Sequence, residues 1–357
     1  MIDNDRPEVT IIIATYARPD ALVCAVRSIQ LQTFARWRAL VIGDCCDVAT
    51  SDAMQTFRAD PRIAYVNLPW RCGGQALPNS AGVAVADTEY VAFLNHDDVW
   101  MPEHLALALD RLRAAAGDFF LGRAAIATTL RSAEAREPVF TMVSPVDRTL
   151  REAFWRHNMY VEPASAWVVH RQFADRVGPW RPMTELFRSS LVDWALRAWR
   201  AGARVVQDER VTCLKIETHW GSDRERKYES PAEGQSWCVD AIAQGAAEAI
   251  ASRLVGRRGS PGMDWPQVFC AAVPADDERA TALAEHLLTP DMADLFYRSG
   301  LDAFDWLCAE VGRVRGGHAR HMLHRRTGED VVPTPPLDDI AGYVRDALRS
   351  RTEWSVT

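Results

Sequence analysis

The chain of 357 residues contains no run of about twenty apolar residues, so no segment is long enough to span a bilayer as a helix. Its start, MIDNDRPEVT, is acidic and polar and does not read as a secretory signal. None of the eight cysteines (24, 45, 46, 72, 213, 238, 270 and 308) forms a C-x-x-C pair, and adjacent Cys45 and Cys46 do not suit a simple disulfide framework. These absences predict free thiols in a reducing, cytoplasmic setting. There is no basic excess either. The 41 Lys and Arg stand against 48 Asp and Glu, a net charge of −7, which excludes binding of nucleic acid or an anionic membrane through overall charge. No internal repeat is visible. No G-x-G-x-x-G follows the first apolar run, which counts against a dinucleotide-dependent dehydrogenase.

What is present is ordinary globular composition, at a length that suits one large domain with an extension, or two domains. Val9–Ala14 (VTIIIA) is a β-branched run typical of a parallel strand buried on both faces. RALVIGD, ending at Asp44, RIAYVNL (Arg62–Leu68) and YVAFL read as three more strands. Pro19 and Asp20 open a helix in which Leu22, Val26, Ile29 and Thr33 recur at helical spacing. LPNSAGVAVAD reads as a short helix with Pro78 in its first turn. This alternation predicts an α/β fold with a mainly parallel sheet flanked by helices. Further on, SLVDWALRAWRAG is a helix that Ser190 can cap and Gly202 ends, and ARVVQDE is another strand. From about residue 229 the texture turns helical, which divides the chain into 1–228 and a helical extension, 229–357. RRGSPGMDWP looks like a linker, and PTPPL is a stiff break before a last helix. Thirteen tryptophans can serve a sugar-binding surface, though core packing explains them more simply.

Parallel sheets of this kind bind ligands beyond the carboxyl ends of their strands. There the sequence places Thr15 and Tyr16, then Asp44, then the cluster Asn95–Asp98 (NHDD). A D-x-D-like cluster after a buried strand can hold Mg or Mn against a diphosphate. The plain alternative is a solvated turn, since Asn and Asp favour turns and caps. The residues alone leave both open.

Taken together, VTIIIATYARPDALVCAVRSIQLQTFARWRALVIGD and LPWRCGGQALPNSAGVAVADTEYVAFLNHDDVWMPEHL resemble the opening of family-2 glycosyltransferases with the GT-A fold. The likeness is close over residues 8–110 and looser over 155–215. It implies a GT-A, Rossmann-like mixed sheet and transfer of a sugar from a nucleotide-diphosphate donor to an acceptor hydroxyl. By that resemblance Thr15 and Tyr16 line the base pocket and Asp44 hydrogen-bonds the base. Arg18, of the family's Arg-Pro, Asn79, Asn95 and His96 belong with the donor-binding set. Asp97 is the main ligand of a Mn or Mg ion, supported by Asp98. The sequence departs from the family at Asn95, where an Asp is usual, and at Pro78, where an Arg is usual. Cys45 and Cys46 fill the slot where the family usually has Gly-Ser.

After a VGPW turn (Val177–Trp180), Asp193 matches the family's acidic residue at the start of a helix, with Val192 in place of the usual Glu. The likeness makes Asp193 the general base of an inverting displacement. Read locally, Ser190 and Asp193 form a capping-box variant, and Asp193–Arg197 an i,i+4 ion pair. His219 precedes a loop with Arg224, Arg226 and Lys227, in a region where members of the fold often carry a further metal ligand or a diphosphate clamp. The plain alternative is an exposed polar loop. His318, His321 and His324 drift off a common helix face and read as a solvated face.

The expectation is therefore a metal-dependent hexosyltransferase-like enzyme with an unnamed acceptor: a glycan, a lipid-linked sugar or a small molecule. It would be cytoplasmic, with room for peripheral attachment at the inner membrane surface. The region after 229 is expected to carry acceptor contacts, a homodimer contact or both. Two rivals stand beside it. A sugar nucleotidyltransferase would need a Gly-rich basic loop after strand one, which ATYARPDAL lacks. A non-catalytic binder of the same fold draws on Asn95 and Val192.

Overall fold

The computed structural model describes residues 6–128, 137–143, 163–186, 189–217, 232–254, 334–349, 351 and 354. The β-branched run forms β1 (Val9–Thr15), and α1 (Pro19–Gln30) follows with proline in its first turn. β2 (Trp37–Gly43) and β3 (Ile63–Asn67) lie beside β1 on one side, joined by α2 (Val48–Gln55), which Asp47 caps through the amide of Thr50. α3 (Ala76–Val85) leads to β4 (Tyr90–Phe93) on the other side of β1. β1 pairs in parallel with both neighbours, Thr15 opposite Gly43 and Ile12 opposite Phe93. Three strand ends thus stand side by side.

Beyond β4 the sheet turns mixed. β9 (Trp167–His170) inserts antiparallel between β4 and β6 (Phe119–Leu121), and β10 (Val205–Val206) closes the edge, in the order β10-β6-β9-β4-β1-β2-β3. A second sheet, absent from the sequence expectation, has the order β5-β11-β7-β8: β5 (Asp98–Trp100), β11 (Val211–Glu217), β7 (Arg123–Thr128) and β8 (Val139–Val143). β5 begins inside the acidic cluster itself, so Asp98 is a strand residue paired with Lys215 on β11.

The tryptophans described here serve the core. Trp167, Trp180 and Trp194 lie against one another with ring centroids 5.5–5.8 Å apart, and Phe93 and Phe119 pack at their edges. α4 (His104–Ala115) packs on β6, and α5 (Arg171–Val177) on α3 and α6 (Ser190–Arg200). Gly202, in left-handed backbone, follows the end of α6. The expected cap at Ser190 falls one residue late: Ser190 is already helical, its hydroxyl enclosed with no partner, and Ser189 Oγ accepts from the Val192 amide at 3.5 Å.

The chain beyond 229 returns to this body. α7 (Glu233–Ala243), followed by α8 (Ala247–Leu254), packs on α1 and β5, while α9 (Leu337–Arg349) packs on α3 and β3. No helix among the described residues is long and apolar enough to cross a membrane.

Candidate active site

The strand ends of β1, β2 and β4 bring distant residues together. The Asp44 amide donates to the Thr15 carbonyl at 2.9 Å, which ties the end of β2 to that of β1. From the other side His96 Nδ1 accepts from the Tyr16 amide at 3.2 Å and stands 3.1 Å from Thr15 Oγ1. An amide donor on Nδ1 leaves the ring proton on Nε2. Ala17 and Cys45, just past β1 and β2, adopt left-handed backbone at φ 46° and 59°. Non-glycine residues rarely hold that conformation, and such strain gathers at functional sites.

Asp44 is buried, and its carboxylate accepts from Arg71 Nη1, the Cys72 amide and, at 2.9 Å, the Gly73 amide. Burial pushes its carboxyl up, opposed by the Arg71 charge and the two amides. The Arg71 guanidinium also lies over the Tyr16 ring, 3.3 Å from its centroid. One cation is thus stacked on an aromatic face and paired with an adjacent carboxylate. The sequence reading passed over Arg71, which sits in a loop that reads only as a glycine-rich turn.

In the acidic cluster the two carboxylates part company. Asp97 pairs with Arg18 Nη1 at 3.2 Å, both side chains nearly enclosed, and Arg18 Nη2 has no partner. Gln235 of α7 donates to the Asp97 carbonyl at 3.1 Å. Asp98 is fully buried. Its Oδ2 accepts from Asn95 Nδ2 at 3.0 Å and from Ser165 Oγ, and Ser165 Oγ in turn accepts the Asn95 amide at 3.0 Å. Burial holds the Asp98 carboxyl well above the usual range, with Lys215 opposing the rise and Asp97 adding to it. The repulsion between neighbouring carboxylates is thus met separately: Asp97 has a guanidinium, and Asp98 has two neutral donors. Ser165, too, was not singled out by its sequence context.

Asp193, on α6, is buried and clamped by two arginines. Arg181 donates Nε to Oδ2 at 3.0 Å and Nη2 to Oδ1, and Arg197 donates Nε to Oδ2 at 3.0 Å. The i,i+4 pair is therefore present, with Arg181 as an unforeseen second partner. Arg197 also donates to the carbonyls of Val177 and Pro179, and Trp194 Nε1 to that of Gly178, which fastens the VGPW turn to the helix. The Trp180 amide donates to Ser80 Oγ at 2.9 Å, linking that turn to α3 beside buried Asn79. His219, its basic loop and the His318, His321 and His324 stripe lie outside the described residues.

Among the described residues no three His, Cys, Asp or Glu side chains gather as a metal-binding group. Asp97 still offers a hard oxygen donor at the rim. A Mg or Mn ion commonly takes one or two carboxylates and fills its remaining positions with phosphate oxygens and water, so the residues present fit such an ion.

Parts of the chain are similar to known proteins. Residues 10–178 match the sequence model of glycosyl transferase family 2. WcaA of Escherichia coli (strain K12), named for glycosyl transfer in colanic acid biosynthesis, is 28% identical over 108 residues, covering 30% of this chain and 38% of that protein. TuaG of Bacillus subtilis (strain 168), named for glycosyl transfer in teichuronic acid biosynthesis, is 32% identical over 108 residues, covering 30% of this chain and 42% of that protein. The chain therefore spans about two fifths of the length of these relatives. Residues 1–349 of S. aureus TarS superpose with a TM-score of 0.48 at 14% identity, covering 86% of this chain and 92% of that one.

Proposed function

We propose, from the match of residues 10–178 to the glycosyl transferase family 2 model, that the protein transfers a sugar from a nucleotide-diphosphate donor to an acceptor hydroxyl. The observation that carries this reading is the shared rim. Thr15, Tyr16, Asp44 and His96 come from three adjacent strand ends and are joined by hydrogen bonds, and Asp97, next to His96, pairs with Arg18, two residues after Tyr16.

In this reading the base stacks at Tyr16 and donates to Asp44. A carboxylate can accept the ring N–H of uracil, thymine or guanine, or the exocyclic amino group of cytosine, so the binding assay decides among them. The diphosphate reaches Asp97 and Arg18, where Nη2 is an enclosed donor without a partner. A Mn or Mg ion held by Asp97 would offset the charge of the departing diphosphate. Asn95, His96 and Asn79 complete the donor site, and Asp98 braces the turn from behind rather than facing the ligand.

The acceptor oxygen attacks the anomeric carbon as the bond to the diphosphate breaks, which inverts that centre. The hydroxyl proton passes to Asp193. Oδ2 of Asp193 already accepts two bonds and Oδ1 one, so Oδ1 is the atom to receive it. Residues 1–228 form the transferase domain in this reading, and the region from 229 on adds acceptor or subunit contacts. The setting is cytoplasmic, at the inner membrane surface where the acceptor is lipid-linked.

The test is calorimetric binding of UDP, GDP, dTDP and CDP, with Mn, without Mn, and with Asp97→Ala. Binding of one nucleotide that needs both Mn and Asp97 supports the reading and names the donor class. Absence of binding in every condition removes it.

A further inference from the structure

The helix at the far end of the chain touches the donor site through a loop. α9 is amphipathic, with Ile340, Ala341, Val344 and Leu348 buried in one cluster with Leu40, Ile42 and Val66 of β2 and β3 and Leu77, Ala81 and Val85 of α3. Trp70 and Cys72 pack on the same cluster. Tyr343, on the same helix and 40% exposed, meets the Trp70 ring edge-on, with centroids 5.5 Å apart at 70°. Trp70 directly precedes Arg71, Cys72 and Gly73, the three residues whose donors hold Asp44. α9 lies far outside residues 10–178, so the family core alone does not supply this contact.

We infer that α9 positions the loop that holds Asp44, with Tyr343 and Trp70 as positioning residues for donor binding. The inference rests on the proposed base site at Tyr16 and Asp44. Tyr343 does not touch that site. It fixes Trp70, and Trp70 fixes the backbone from which two amides and Arg71 reach the carboxylate. Without the ring contact the loop keeps its apolar anchor in the cluster but loses its lateral stop, and Asp44 is held less often in the geometry a base requires.

The experiment measures calorimetric affinity for UDP, GDP, dTDP and CDP, each with Mn, on the full chain. The variants are Tyr343→Ala, Tyr343→Phe and Leu348→Ala, each with a thermal melt. An edge-to-face ring pair of this kind predicts a dissociation constant about three- to tenfold higher for Tyr343→Ala. Tyr343→Phe keeps the ring and should bind as the wild type does. Leu348→Ala, five residues further along the same helix, should lower the melting temperature and leave affinity unchanged. Tyr343→Ala binding as tightly as the wild type overturns the inference and leaves the functional reading intact. So does loss of affinity in Leu348→Ala equal to that in Tyr343→Ala, which marks a merely structural role. If the wild type binds none of the four nucleotides, the functional reading falls and the inference falls with it.

Discussion

His104 gives the fold a pH dependence that can be worked out from its surroundings. The residue opens α4 with no exposed surface. Its ring stacks on Trp100, centroids 4.3 Å apart, and meets the edge of Phe120. Nδ1 lies 2.8 Å from Thr212 Oγ1, and Nε2 has no partner. A second ring proton would therefore sit in an apolar enclosure with no acceptor, and burial lowers the pKa from 6.5 to about 3. In the unfolded chain the ring protonates near its ordinary value, so between the two values the unfolded state binds more protons. The contribution is fully present above pH 6.5 and is lost as pH falls through that value toward about 3. From pH 7 to pH 5 the loss works out at about 2 kcal/mol. Urea unfolding of the wild type and His104→Phe at both pH values isolates it. Phenylalanine keeps the stacked ring and cannot titrate, so its other effects appear as a constant offset. The wild type should lose about 2 kcal/mol more than the variant between the two pH values. Equal losses would show that His104 is accessible to protons in the folded state, and the burial argument would be wrong.

Three other outcomes follow from particular contacts. Asp193→Asn should lower kcat by about 10²–10⁴, the usual weight of a general base, with nucleotide affinity unchanged; a drop in affinity with kcat retained would assign Asp193 to donor binding instead. Cys45→Gly should raise stability by about 0.5–1 kcal/mol in urea unfolding, because it relieves left-handed backbone at φ 59° at some cost in chain entropy; a loss of stability would show that the thiol packs usefully. Gly82→Ala in α3 places a Cβ 2.6 Å from Ile12 Cγ2 in the central strand, so the unfolding free energy should fall by about 1–3 kcal/mol, whereas a gain of helix propensity alone would raise it.

How far the sequence could be read depended on whether a feature was carried by neighbours in the chain or by residues the topology brings together. β1, β2 and β3 show as β-branched runs, and α1 as a proline start with apolar residues at helical spacing, because local periodicity encodes burial on a parallel sheet. Once those strands were parallel, the positions of Thr15, Tyr16, Asp44 and His96 at one rim followed from strand polarity alone. The second sheet did not show, because β5 is three residues long and its partner β11 lies more than a hundred residues away; no periodicity exists at that length. For the same reason Asp98 read as a member of an acidic turn, although pairing with β11 and the donors Asn95 and Ser165 enclose it. The partners that decide each carboxylate's chemistry are single residues contributed from elsewhere: Arg71 to Asp44, Gln235 to the backbone of Asp97, and Arg181 to Asp193. A lone arginine or glutamine in a loop or helix has no spacing that marks it, so only the packed chain reveals what it holds. Gln235 and Tyr343 carry this furthest. Both belong to the segment that reads as a helical appendage, yet one braces the carbonyl of Asp97 and the other the loop over Asp44. Removing that segment should therefore disturb both ends of the proposed donor site, the base end through Trp70 and the diphosphate end through Asp97.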